Sequence, residues 1–281
     1  MLSAALIQTW LEAGMEAPML MVIRATELVF AWSLGIQTLE YLRMGKYTAN
    51  DAFWSWEIQR ADIPNAPVRA LLDVLFKPHV YQLHLLLRLL AAVVLAVQGA
   101  SLPLIGFLFV GNLLILIRWR GAFNGGSDFM TLVVLTGLLI AQVVGALGQV
   151  QLGWQAGLWY IAIQAITSYF MSGAVKLLRP EWRNGSAMTI FLNGAIYGPL
   201  SATHPLRNPW LTLMGSWGFI VWEILFPLGL LDPRLAAVFC AVAALFHFLV
   251  FWFFGLNRFF WAWLCSFPAI IWCSAQFTKA L

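Results

Sequence analysis

Polar positions are the exception along this chain. Runs of about twenty mostly apolar residues follow one another from residue 19 to residue 277, and a bilayer core of about 30 Å needs about 20 such residues per helix. Windows of that length fall at residues 19 to 39, 80 to 98, 102 to 118, 129 to 149, 155 to 176, 210 to 231, 235 to 254 and 258 to 277. The third window is short, with Pro103 near its start. The pattern predicts an all-α protein, a polytopic transmembrane helix bundle of about eight spans, forming one integral-membrane domain over residues 1–281.

Two connections are long enough to hold short interfacial helices but too short for a core of their own. In residues 40 to 79, APVRALLDVLF (66–76) has apolar spacing suited to a helix on the membrane surface, with Arg69 and Asp73 on its polar side. In residues 177 to 209, MTIFLNGAIYG (188–198) cannot span, so it is interfacial, re-entrant or packed on the bundle. The N-terminus carries Glu12 and Glu16 and no basic stretch ahead of its apolar run, so it does not read as a cleaved signal peptide.

Composition strengthens the membrane reading. The chain is 62% hydrophobic and 10% charged, against about 25% charged for a globular protein, which excludes a cytosolic enzyme, a disordered tail and a nucleic-acid binder. The expected partners are membrane lipids or other subunits of a membrane protein complex, at the cell membrane. Cys240, Cys265 and Cys273 lie in apolar runs without a C-x-x-C pair and read as small core residues. Twelve of the sixteen Lys and Arg residues fall in the connections on one side of the eight windows, and only Arg234 and Lys279 fall on the other. Arg24 and Arg88 lie within spans. The excess of basic residues in cytoplasmic loops then puts both termini on the non-cytoplasmic side. Trp119, Trp154, Trp182 and Trp210, near span ends, fit interfacial belts.

Ionisable groups inside a bilayer are rare and either paired or functional. Arg24 and Glu27 stand i,i+3 and predict an intrahelical ion pair. His84 and Arg88 share a helix face, whereas His79 and His84, five apart, do not. With no H-E-x-x-H and no Cys/His cluster, no metal site is predicted. Glu223 and His247 fall at similar depth on adjacent spans, and a Glu to His hydrogen bond is the expectation. Lys176 closes the fifth window after the small residues Ser172, Gly173 and Ala174. It reads as a snorkelling lysine at the headgroups or, functionally, as a partly desolvated amine able to act as a base. As an interfacial residue it would contribute little to packing, so that Lys176→Ala would leave the melting temperature nearly unchanged. In RWRGAFNGGSDFM (118–130), Ser127 or Asp128 is a competent helix N-cap, and the glycine spacing is not that of a nucleotide-binding loop. Small residues beside Lys176, Pro227 in the sixth window and the polar Glu223 and His247 predict a cavity toward Lys176 lined by the fifth, sixth and seventh spans.

Three segments carry a family resemblance. Residues 222–264, YFMSGAVKLLRPEW (169–182) and RGAFNGGSDFM (120–130) together resemble the horizontally transferred transmembrane domain, the membrane part of the vitamin K-dependent gamma-carboxylase family. Glu223 and Pro227 match its E-x-x-x-P pattern, His247 and Gly255 its H-x7-G pattern, and Gly125, Gly126 and Asp128 its glycine-rich acidic loop. Lys176, in S-G-A-V-K-L, falls on the lysine of the family's A-G-x-x-K-L stretch. The resemblance implies a helical membrane enzyme that deprotonates and oxygenates a reduced naphthoquinone and uses the strong base so formed to carboxylate glutamate. The implied cofactor is a quinone or hydroquinone, with no metal and no nucleotide. Lys176, Glu223 and His247 become the candidate catalytic residues, and Arg88, His84, Asp128 and Arg179 the candidates for binding substrate. The reading from another class is a non-catalytic scaffold or accessory subunit, in which the same residues hold helices together.

Overall fold

The structure, a computed structural model, describes residues 16–48, 52, 54–120, 125–201 and 203–280. The stretch read above as a retained N-terminus lies outside them, apart from Glu16. The described residues form helices without a strand. In chain order these are α1 (Ala17–Arg43), α2 (Trp56–Gln59), α3 (Ala66–Leu75), α4 (Pro78–Gln98), α5 (Leu102–Trp119), α6 (Gly125–Ala146), α7 (Val150–Leu178), α8 (Pro180–Arg183), α9 (Ser186–Asn193), α10 (Pro209–Leu225), α11 (Pro233–Phe254), α12 (Asn257–Leu264) and α13 (Phe267–Ala280). Eight helical stretches among them are long and apolar enough to cross a membrane, with α10 continuing as a 3-10 turn and α12 with α13 counting as one broken span. The protein is an all-α, multi-pass membrane protein.

The helix starts follow from local chemistry. Pro occupies the first turn of α3, α10 and α11, where its missing N–H costs nothing. Asn65, Asn208 and Asp232 cap them, accepting from the backbone N–H groups of Val68 (3.0 Å), Trp210 (2.9 Å) and Arg234 (2.6 Å). The α-helical pattern of the sixth span ends at Leu225 and tightens into a 3-10 turn over Phe226–Leu231, because Pro227 cannot donate to the preceding turn.

By packing the chain divides into two compact units, residues 1–157 and 158–281, so that α7 gives its first turns to one and the rest to the other. In the first, α1 turns Met19, Ile23, Thr26, Phe30, Leu34, Thr38 and Tyr41 inward. This spacing of three and four leaves other apolar residues for lipid, as Leu83, Leu86, Leu90, Val93 and Val97 are left on α4. Tyr41 stacks on Trp119 at 5.4 Å, and Trp56, Leu72, Phe76, Tyr81, Leu85 and Ile115 complete that core. The surface helix expected over 66–76 is α3: Leu72 and Phe76 are buried while Val68, Leu71 and Val74 are exposed. Asp73 accepts from Trp56 Nε1 at 2.8 Å and from Arg60, which holds both its oxygens, at 2.9 and 2.6 Å.

The Arg24–Glu27 pair forms as expected, at 3.0 Å, and it also ties α1 to the end of α4. Arg24 donates to the carbonyls of Leu95 and Ala96, and Glu27 accepts from the Ala100 N–H at 2.7 Å. Ser127 and Asp128 lie inside the first turn of α6 rather than at its N-cap, because the helix is already formed at Gly125. In the second unit α9 covers residues 186–193, short of a span as expected, and packs on α10.

Candidate functional site

The site grows from the last two turns of α7. Tyr169, Ser172, Gly173 and Lys176 recur at three- and four-residue spacing and share one face. A Cβ on Gly173 would stand 2.8 Å from Glu223 Cβ and 2.8 Å from the Ile224 nitrogen, so α10 approaches α7 closer than any side chain would allow. That approach delivers the Glu223 carboxylate to the lysine. Lys176 Nζ donates to both carboxylate oxygens, at 2.7 and 2.6 Å, and to Ser172 Oγ at 2.6 Å, while Ser172 Oγ donates to Glu223 Oε1 at 3.2 Å.

This corrects two expectations. Lys176 is not a snorkelling lysine, since its side chain is 13% exposed and turned into the bundle. Glu223 does not bond His247. A full positive charge with a flexible four-carbon reach is a stronger partner for a carboxylate than a neutral ring held in a packed helix. His247, 1% exposed, instead lies 2.7 Å from the Tyr169 hydroxyl through Nε2.

The chain beyond α7 closes over the amine. Pro180 stops the helix, and α8 swings Trp182 to where its ring faces Lys176 Nζ at 5.1 Å. Ser216 Oγ donates to the carbonyl of Trp182, and Trp217 Nε1 to that of Arg183 at 3.1 Å, which fastens α8 to α10. Gly185 follows with φ +80°, and a Cβ there would meet Leu213 Cα at 2.9 Å. Trp182, read from the sequence as part of an interfacial belt, is thus a wall of the site.

Beside Lys176 lies a cavity of about 580 Å3. Its walls come from α10 (Thr212, Gly215, Phe219) and α11 (Phe246, Leu249, Phe253), as the small residues and Pro227 suggest. The third wall, Trp182 of α8 with Met188, Phe191 and Leu192 of α9, belongs to the connection rather than to a span. Lys176 is the one charged residue of an otherwise nearly apolar lining.

Arg88, His84 and Asp128 belong to the first unit and form a different cluster. Arg88, fully buried, donates to Thr38 Oγ1 (2.8 Å), Gln37 Oε1 (2.6 Å) and Asn112 Oδ1 (3.2 Å). Gln37 Nε2 passes the link on to Asp128 Oδ1 at 3.2 Å, and Tyr41 donates to the same oxygen at 3.3 Å. Four helices meet in this network, which meets the expectation that intramembrane charges find polar partners. His84 packs its ring against Gly111 and Phe107. Arg179 is exposed beyond the end of α7.

Sequence reasoning found Lys176, Glu223 and His247 but not Tyr169, Ser172 as a hydrogen-bonding group, or Trp182. The available signal was position: Tyr169 and Ser172 precede Lys176 by seven and four residues, on its face. No protein family, curated protein or solved structure matches the chain.

Proposed function

We propose that the second unit takes up a lipid-soluble ring compound of the quinone or hydroquinone type, or a lipid, and that Lys176 serves there as a base, as the resemblance to the horizontally transferred transmembrane domain implies. The observation that carries the reading is the Lys176–Glu223 pair beside an apolar cavity of about 580 Å3. That volume lies in the about 300–1,000 Å3 range of small-molecule sites, and an apolar lining with few polar groups is their usual form.

A bound hydroquinone would supply an acidic ring hydroxyl. The chain's part is to move the proton without creating net charge. One proton shifted from Lys176 Nζ to Glu223 turns the ion pair into a neutral amine and a neutral acid. The amine then accepts the ring proton and becomes an ammonium beside the oxyanion it has produced. The assembly is neutral at each stage, which favours such a step in a low-dielectric interior. Ser172 and Trp182 fix the direction of Nζ.

The twelve-to-two split of basic residues supports a topology with both termini on the non-cytoplasmic side. A tie between α7 and α10 is also what a scaffold or accessory subunit would use, and purification separates the two readings. Protein extracted into nanodiscs should carry a quinone or lipid detectable by mass spectrometry and should convert a reduced naphthoquinone under oxygen. Lys176→Arg should remain inactive, because a guanidinium stays protonated. Activity in Lys176→Arg, or stoichiometric co-purification of other membrane proteins with no bound ligand, would favour the scaffold.

A further inference from the structure

Two turns below Lys176 the same helix face carries a second polar pair in an aromatic cluster. The Tyr169 hydroxyl and His247 Nε2 are 2.7 Å apart, and both residues are buried. Phe226 stacks on Tyr169 at 4.1 Å, Trp222 and Trp263 contact it at 5.4 and 4.8 Å, and Trp263 also stacks on His247 at 5.0 Å. Three nitrogens of this cluster, His247 Nδ1, Trp222 Nε1 and Trp263 Nε1, are buried without a hydrogen-bonding partner among the described residues.

An indole nitrogen is a donor only. If Tyr169 donates to Nε2, the neutral imidazole carries its hydrogen on Nδ1, and all three atoms are N–H donors. A bilayer interior offers no solvent to satisfy them. Three such donors on rings that all touch Tyr169 call for an acceptor oxygen. The cluster also borders the cavity: Phe246 is a cavity wall, and its ring contacts His247 at 5.0 Å and Trp222 at 5.9 Å. On the other side Trp222, the chain neighbour of Glu223, contacts the Tyr169 ring at 5.4 Å.

We propose that Tyr169 and His247 form a hydrated proton relay that resets the Lys176–Glu223 pair, an inference that rests on Lys176 acting as the base. After Lys176 has taken the ligand's proton, Glu223 holds the proton it received earlier. Glu223 passes it through an intervening water to the Tyr169 oxygen, the tyrosine's own proton moves to His247 Nε2, and Nδ1–H is released to a water beside the cluster. Glu223 ends as a carboxylate, the water gains one proton, and Tyr169 and His247 each lose one and gain one. The imidazole hydrogen has moved from Nδ1 to Nε2; one water returns a proton to Nδ1 and another, rather than Tyr169, takes the proton from Nε2, which restores the starting tautomer and leaves Glu223 ionised.

The chain has only 4 His residues, so histidine ring nitrogens can be resolved by NMR in labelled protein in nanodiscs. The His247 ring hydrogen should exchange with D2O within minutes despite its burial; protection for hours would overturn the hydrated relay whatever the protein's activity. With a reduced naphthoquinone as probe, Tyr169→Phe, which keeps the stacking on Phe226, should complete a first turnover at the wild-type rate. Later turnovers should slow by at least tenfold with KM unchanged. Equal loss of first and later turnovers would mean that Tyr169 only supports the fold, and would overturn the relay. Lys176→Ala should lose the first turnover itself. If that variant keeps the first turnover, or wild type neither binds nor converts the probe, the reading of Lys176 as base fails, and with it the relay's role in resetting that base; the exchange measurement then still decides whether Tyr169 and His247 are hydrated.

Discussion

Gly173 and Glu223 meet at a point where no side chain fits: a methyl on the glycine would stand 2.8 Å from the glutamate's own Cβ. Replacing it with alanine must push α10 away from α7 or shift one along the other, because the backbone nitrogen of Ile224 is equally near. Overpacking of this kind costs about 1–3 kcal/mol. Gly173→Ala should lower the melting temperature in nanodiscs and lengthen the Lys176–Glu223 contact. An unchanged melting temperature would mean that the two helices slide freely.

Removing one member of the Lys176–Glu223 pair leaves the other buried alone. Breaking a buried pair in that way costs about 3–5 kcal/mol. Lys176→Ala should therefore destabilise the protein, contrary to what an interfacial lysine would do, and Glu223→Gln should destabilise it less, since an amide can still accept from Nζ. The double replacement Lys176→Met with Glu223→Leu should recover most of the loss. Thermal unfolding of wild type, Lys176→Met, Glu223→Leu and the double variant checks this, and additive losses in the double variant would contradict a coupled pair.

The surface helix α3 should respond to acid through Asp73. Its hydrogen bonds from Arg60, and secondarily from Trp56, lower the carboxyl from an ordinary 3.8 to about 2. A depressed folded value means that the Arg60–Asp73 contribution is complete above pH 4 and is lost as pH falls through about 2. The exposed pair is screened, so the effect is local and small. Trp56 emission should titrate over that window in wild type but not in Asp73→Asn.

Topology gives a test independent of the site. A reporter fused after Leu281 should read as non-cytoplasmic if the split of basic residues sets the orientation. Arg118, like Lys176 and Arg258, belongs to that count although the protein buries it. It is 1% exposed and bonds Gln59 Oε1 at 3.0 Å and the Thr48 carbonyl at 3.2 Å, so part of its role is structural. Moving basic residues out of 40–79 while keeping Arg118 should weaken the orientation without unfolding the first unit.

The eight hydrophobic windows and the eight observed spans agree to within a few residues at most ends; the largest differences are the further run of the first span to Thr48 and the earlier start of the fifth at Val150. The reason is that lipid imposes length and apolarity one helix at a time, and both are local properties of the chain. Helix starts at Ala66, Pro209 and Pro233, each with Pro in the first turn and an Asn or Asp cap, were likewise written locally. That Arg88, Glu223 and His247 would face polar partners followed from the cost of leaving them in lipid. Which partners they take did not follow, because depth along a span says nothing about rotation around it.

Tertiary packing settled the choices among neighbours. Glu223 at mid-span had a histidine at similar depth, yet it bonds Lys176, because the missing side chain at Gly173 and the turn from Pro180 to Gly185 draw α7, α8 and α10 together on that side. His247, left without the carboxylate, takes Tyr169, whose aromatic ring gave no reason in the sequence to single it out from the rest of the chain's 21 Phe, 15 Trp and 6 Tyr. Arg88 and Asp128 share Gln37, so that three helices of the first unit meet, and the Gln37–Asp128 bond joins residues 91 apart in the chain. Apolarity and chain breaks act within one turn and can be read from consecutive residues; pairing depends on how close two backbones come, which is set by side chains on both helices at once.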